Sequence, residues 1–95
     1  MNKYPQITPD NEDFGAILIA AVRYACGRGT YMSGLVSGYV KYLIPYISDK
    51  TLCCLERDIR CARGYGNEKI DKPCWMRLLI DLQKEIKARD LERWS

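Results

Sequence analysis

Residues 24–34 read YACGRGTYMSG, with three glycines, an arginine and two tyrosines set between two apolar segments. Whether this stretch interrupts a helix decides the fold. Gly27 or Gly29 accepts, at little steric cost, the left-handed conformation that closes a helix. Thr30 is a residue type that caps the start of the next one. The stretch therefore reads as a joint between two helices.

Upstream of it, Phe14, Ile17, Leu18, Ala21, Val22 and Ala25 recur at i, i+3, i+4 and i+7, the spacing of one helical face. Asp10 or Asn11 supplies a cap. Glu12 and Asp13 fall in the first turn, where the helix dipole favours carboxylates. Ile19 and Cys26 widen the apolar face and leave Ala16, Ala20 and Arg23 outside, so this helix is central or meets another subunit.

Downstream, a second helix runs to about Ile44, with Leu35, Val36, Tyr39, Val40 and Leu43 as its inner face. Ser33, Gly34, Ser37 and Gly38 form a small-residue stripe. A glycine inside a helix costs up to about 1 kcal/mol against alanine. Two of them predict close approach by a packed helix or a ligand.

Pro45 breaks this helix, and Ser48 caps a third over roughly 49–63, lined by Leu52, Leu55, Ile59 and Ala62. Arg57, Arg60 and Arg63 flank it as a solvated face, partly paired with Glu56 and Asp58. Gly64-Tyr65-Gly66-Asn67 is a turn, doubling as a hinge or ligand-side loop. A fourth helix starts at Pro73 and runs into the nineties, with Trp75, Leu78, Leu79, Leu82 and Ile86 inside. Few apolar anchors follow Ile86, so its end should fray. No period-2 strand pattern occurs. The expectation is an all-α single domain over 1–95, a compact bundle of about four helices with an extended lead-in over 1–10, assembling as a homo-oligomer.

The composition limits the function. At 95 residues, 47% hydrophobic and 28% charged, the chain suits one small globular domain. Net charge is +3, from 15 Lys and Arg against 12 Asp and Glu, which is modest for a nucleic-acid binder. Between Phe14 and Ser48 the only charged residues are Arg23, Arg28 and Lys41, all cationic. The same segment holds Tyr24, Tyr31, Tyr39, Tyr42 and Tyr46. Tyrosine suits surfaces that are apolar yet need a polar tip, such as interfaces and pockets.

Cys26, Cys53, Cys54, Cys61 and Cys74 form no Cys-x-x-Cys pair, and the chain has no histidine. The usual zinc ligand sets are therefore missing, and the thiols read as reduced, packed side chains. Neither a metal nor a cofactor is expected. The N-terminus has no apolar signal region, and the most apolar stretch, 31–47, contains Lys41 and Pro45. The expected protein is cytoplasmic, without a membrane partner. Without histidine there is no ordinary neutral-pH base, and no nucleophile has an evident partner. A binding role is expected in place of an enzymatic one.

The best candidate site is the joint itself. A glycine-bearing turn entering a helix offers free backbone N–H groups and a positive dipole end. Arg28 adds a planar fork that matches phosphate oxygens. Thr30 and Ser33 add hydroxyls, and Tyr24 and Tyr31 add faces for stacking. Arg23 and Lys41 are candidate auxiliary cations. GRGT is not a P-loop, which needs its own spacing after a strand.

The run Tyr24–Met32, with Phe14-Gly15-Ala16 before it and Ser48-Asp49-Lys50-Thr51-Leu52 after it, resembles a group of small phage and prophage proteins of Gram-positive bacteria. These carry an AVRYALGRxTYM-like core followed by an LSDKTL…ERDI-like helix, and the similarity covers most of residues 14–80. The resemblance transfers no activity; it implies a context in which small proteins counter host defence. Such proteins grip a defence protein or sequester its nucleotide signal. Cys26 and Gly29 depart from the pattern, which more often has Leu and Arg there, and losing the second arginine weakens a phosphate site.

The leading expectation is thus an anti-defence protein that sequesters an anionic nucleotide-like signal, held between subunits, without catalysis. The alternatives are a protein-binding inhibitor of a host defence complex, working through its tyrosine-rich face or the Arg57/Arg60/Arg63 flank, and a small nucleic-acid-binding regulator using the third helix.

Overall fold

The computed structural model describes residues 8–26, 28–64 and 73–91. They form four helices: α1 (Glu12–Cys26), α2 (Thr30–Leu43), α3 (Asp49–Gly64) and α4 (Pro73–Ala88), with a single 3₁₀ turn, Ile44–Tyr46, between α2 and α3. The all-α expectation holds. The turn cluster at 65–67, the lead-in over 1–7 and Gly27 lie outside the described residues, as do the side chains of Ala62 and Arg63.

Local chemistry sets the helix ends. Asn11 caps α1: its Oδ1 accepts from the N–H of Asp13 at 2.7 Å and of Phe14 at 3.4 Å. Ser48 caps α3, its hydroxyl accepting from the Thr51 N–H at 3.2 Å. Pro45 sits in the first positions of the 3₁₀ turn, where its missing N–H leaves no bond unmade. α2 departs from expectation. Thr30 is its first helical residue, and the cap position falls to Gly29, which is extended and carries no side-chain cap.

α4 ends at Ala88, short of the nineties, in a Schellman closure. The Leu91 N–H donates to the Ile86 carbonyl and the Asp90 N–H to that of Lys87. Asp90 takes the left-handed conformation, φ 59°. The end that was expected to fray is instead anchored, because Leu91 is buried and Arg89 ties it down. The Arg89 guanidinium donates to the Ile44 carbonyl (3.0 Å), the Ile47 carbonyl (2.9 Å), Asp49 (2.9 Å) and Glu85 (2.8 Å).

α2 and α3 each pack on both α1 and α4. Leu18, Val22, Ala25, Val40, Leu52, Leu55, Ile59, Trp75, Leu78 and Leu82 meet in one core. The inward residues foreseen for α4 are all buried, as are Leu52, Leu55 and Ile59 of α3. On α1, Leu18, Val22 and Ala25 are inside, but Ile17 is 59% exposed.

The face of α2 is only partly the expected one: Val36, Val40 and Leu43 do pack on the core. Ser33, Ser37 and Val40 are buried, while Leu35 and Tyr39 point outward. Hydropathy alone favoured Leu and Tyr inside. The serines bury without an unmet donor, because Ser33 Oγ donates to the Ala25 carbonyl and Ser37 Oγ to the Gly34 carbonyl, both at 3.2 Å. Their small size lets α2 lie close against its neighbours.

The tight glycine contact is not at 34 or 38 but at Gly15. A Cβ there would overlap Thr51 Oγ1 and lie 3.2 Å from the Thr51 Cβ. Around Gly34 and Gly38 nothing lies within 4 Å of where a Cβ would be. Glu56, read as part of a solvated face, is buried at 4% exposure. Arg60 Nε and Gln83 Nε2 donate to it at 2.8 and 3.1 Å.

Candidate functional site

The α1–α2 joint is an exposed corner. α1 ends at Cys26, and the Arg28 N–H bonds back to the Ala25 carbonyl at 3.0 Å. This return carries the Arg28 side chain over the Tyr24 ring, with its guanidinium carbon 4.3 Å from the ring centroid. α2 has no side-chain cap and no acidic residue in its first turn. Its first intrahelical bond is that of the Ser33 N–H to the Gly29 carbonyl. The N–H groups of Thr30, Tyr31 and Met32 precede it and form the positive end of the helix dipole.

The seven residues read as a site divide into three groups. Tyr24, Arg28, Thr30 and Tyr31 share the corner and are all exposed. Arg23 is nearby on α1, but its Nε donates to Asp58 of α3 at 2.8 Å. That hydrogen bond and the carboxylate's charge raise the Arg23 pKa; its charge is paired through Nε, while the side chain stays 68% exposed. Ser33 and Lys41 leave the site altogether. Ser33 is fully buried and bonded to Ala25. Lys41 pairs with Asp81 of α4 at 3.3 Å and lies about 16 Å along α2 from Thr30, at 1.5 Å per residue.

The carboxylates absent from residues 14–48 are thus folded in from α3 and α4, and they neutralise two of the three cations. Among the described residues none forms an ion pair with Arg28. On the α3 flank Arg60 is taken up by Glu56 at 2.8 Å, leaving Arg57 exposed.

A second surface feature follows from the turned face of α2. Gly34, Leu35, Gly38, Tyr39 and Tyr42 line an open groove of about 420 Å³ on its outer side. The sequence signals it twice, through the helical glycines and the excess of tyrosines, but its apolar periodicity places Leu35 and Tyr39 on the inner face. A smaller depression of about 130 Å³ lies where Glu12, Ala16 and Ile19 of α1 meet Lys50, Thr51 and Cys54 of α3; nothing in the sequence marked it.

Among the described residues no group of three or more Cys, Asp or Glu is arranged to hold a metal ion, and no helix is long and apolar enough to cross a membrane. Compared with known protein families, curated proteins and solved structures, the chain matches none.

Proposed function

We propose that the protein acts by binding alone and that it sequesters an anionic, nucleotide-like ligand at the α1–α2 corner. The observation that carries this reading is Arg28, an exposed guanidinium with no carboxylate partner among the described residues, next to the uncapped start of α2. A phosphate there would meet the Arg28 fork, the backbone N–H groups of Thr30 and Tyr31 and the Thr30 hydroxyl. Tyr24 and Tyr31, 55% and 79% exposed, offer ring faces to a base. The corner residues are exposed, so a ligand bound between two copies gains a second wall. In the phage setting implied by the sequence resemblance, the ligand would be a nucleotide signal of host defence.

The experiment is calorimetric titration of the purified protein with cyclic di- and trinucleotides and with ADP-ribose-type nucleotides. Binding of one of them, weakened at least about tenfold in Arg28→Ala, is the expected result for the loss of a charge-assisted pair. No heat with any member of the panel would overturn the reading.

The exposed outer face of α2 favours a second reading, a binder of another protein through that face. A host partner captured equally well by Arg28→Ala and lost on charging Leu35 would select it.

A further inference from the structure

We infer that the outer face of α2 is covered by α2 of a second copy of this chain, the two helices crossing antiparallel over Gly34 and Gly38. The inference stands apart from the ligand proposal, because it is carried by Gly34, Leu35, Gly38, Tyr39 and Tyr42; the two share only Tyr31 and, for the orientation, Arg28.

The face is continuous. At 100° per residue, Tyr31, Gly34, Leu35, Gly38, Tyr39 and Tyr42 fall within one arc of α2, opposite the buried Ser33, Ser37 and Val40. Tyr31 is 79% exposed, Tyr39 66%, Tyr42 76% and Leu35 41%, and Tyr46 extends the strip at 58%. With a full tyrosine presenting about 200 Å², this strip offers roughly 600–700 Å². A standard interface takes about 800 Å² from each partner. The strip therefore comes close to what a modest dimer requires.

The occupant follows from the shape. One helix carries both the groove, floored by Gly34 and Gly38, and the projecting side chains that would fill it, Leu35 and Tyr39. An isologous pair needs this combination, since each copy must present to the other what it receives. Among the described residues packing requires neither glycine: nothing lies within 4 Å of either missing Cβ, and each weakens the helix by up to about 1 kcal/mol. A second backbone lying against them supplies that role.

Charge selects the orientation. α2 carries no carboxylate, and its one cation, Lys41, is already paired with Asp81. A copy therefore meets no like charge along the strip. Arg28 lies just before the N-terminal end. A parallel pair would bring the two Arg28 side chains together, whereas an antiparallel pair separates them and sets each near the negative end of the partner's α2 dipole.

Sedimentation equilibrium from about 1 µM to about 100 µM tests this, a range that brackets the affinity of a small interface. The wild-type chain should approach twice its 11.0 kDa mass. Gly38→Leu has open space in the monomer and fills the groove, so it should stay at the single-chain mass with unchanged helical circular dichroism. Leu35→Lys, an exposed change on the same strip, should weaken association at least about tenfold and keeps the test decisive should Gly38→Leu fail to fold. A wild-type chain that stays monomeric throughout overturns the inference and leaves the strip to a foreign protein. Self-association that survives both substitutions overturns it as well, because the copies would then meet elsewhere.

Discussion

Replacing Gly15 with alanine is the sharpest probe of how α1 and α3 are held together. On an exposed helix the change should stabilise by up to about 1 kcal/mol, through helix propensity. Here the new methyl would overlap Thr51 Oγ1 and crowd its Cβ at 3.2 Å and Cγ2 at 3.4 Å. Thr51 cannot readily turn aside. It is buried at 4% exposure, its β-branched side chain is stiff at χ1, and its hydroxyl accepts from Ser48 Oγ at 3.0 Å within the α3 cap. Forcing an extra carbon into a packed site costs about 1–3 kcal/mol. After the full propensity gain, a net loss of up to about 2 kcal/mol remains.

For a domain of this size each kcal/mol moves the melting temperature by about 4–8 °C. Urea unfolding of the four species in a double-mutant cycle isolates the contact. Gly15→Ala should destabilise in the wild-type background. In a Thr51→Ala background, which removes the overlapping Oγ1 and the Cγ2 but keeps the Cβ, the loss should shrink toward neutral, a coupling of about 0.5–2 kcal/mol. As a control, Gly34→Ala and Gly38→Ala, measured at low concentration, should each stabilise by up to about 1 kcal/mol. If Gly15→Ala stabilises the wild-type chain as the control glycines do, the close approach of α1 and α3 is refuted.

Further outcomes follow from the C-terminal closure and the thiols. Arg89→Lys removes the fork that ties α4 to the Ile44 and Ile47 carbonyls and to Asp49, and should cost about 1.5–3 kcal/mol in urea with an unchanged m-value. Burial lowers the Arg89 pKa, but its hydrogen bonds to Glu85 and Asp49 outweigh this and the net shift is upward; the guanidinium should hold its charge across the accessible pH range. Asp90→Gly relieves a left-handed non-glycine residue at the end of α4 and should raise stability by about 0.5–1 kcal/mol by thermal melting. Burial, followed by the charge of Asp49, raises the Cys53 pKa above its ordinary 9.0. The unfolded chain therefore ionises this thiol first. Its contribution to stability is full below about pH 9 and declines as pH rises toward the folded value, and Cys53→Ala should flatten that decline. Under native conditions iodoacetamide should modify the exposed Cys61 before Cys53, as read by peptide mass.

The sequence by itself determined the helices and most of their ends. Asn11, Ser48, Pro45 and Pro73 act locally, on backbone groups within a turn of themselves, and the period of Trp75, Leu78, Leu79, Leu82 and Ile86 admits one inward face. It did not determine which way α2 faces. Hydropathy favours Leu35 and Tyr39 over the serines, and the observed choice rests on Ser33, whose hydroxyl is satisfied only once the Ala25 carbonyl of α1 is at hand. The sequence marked the cluster of cations without carboxylates, but whether they are unpaired is a long-range fact. Asp58 and Asp81 reach Arg23 and Lys41 from residues 35 and 40 positions away in the chain. Packing thus took Ser33 into the core, paired Arg23 and Lys41 with carboxylates, and left Arg28 with Tyr24, Thr30 and Tyr31 at the corner. The same turn of α2 that buried two serines put Gly34, Gly38 and the tyrosines on the outside, because a small helix bundle can cover only one side of each helix.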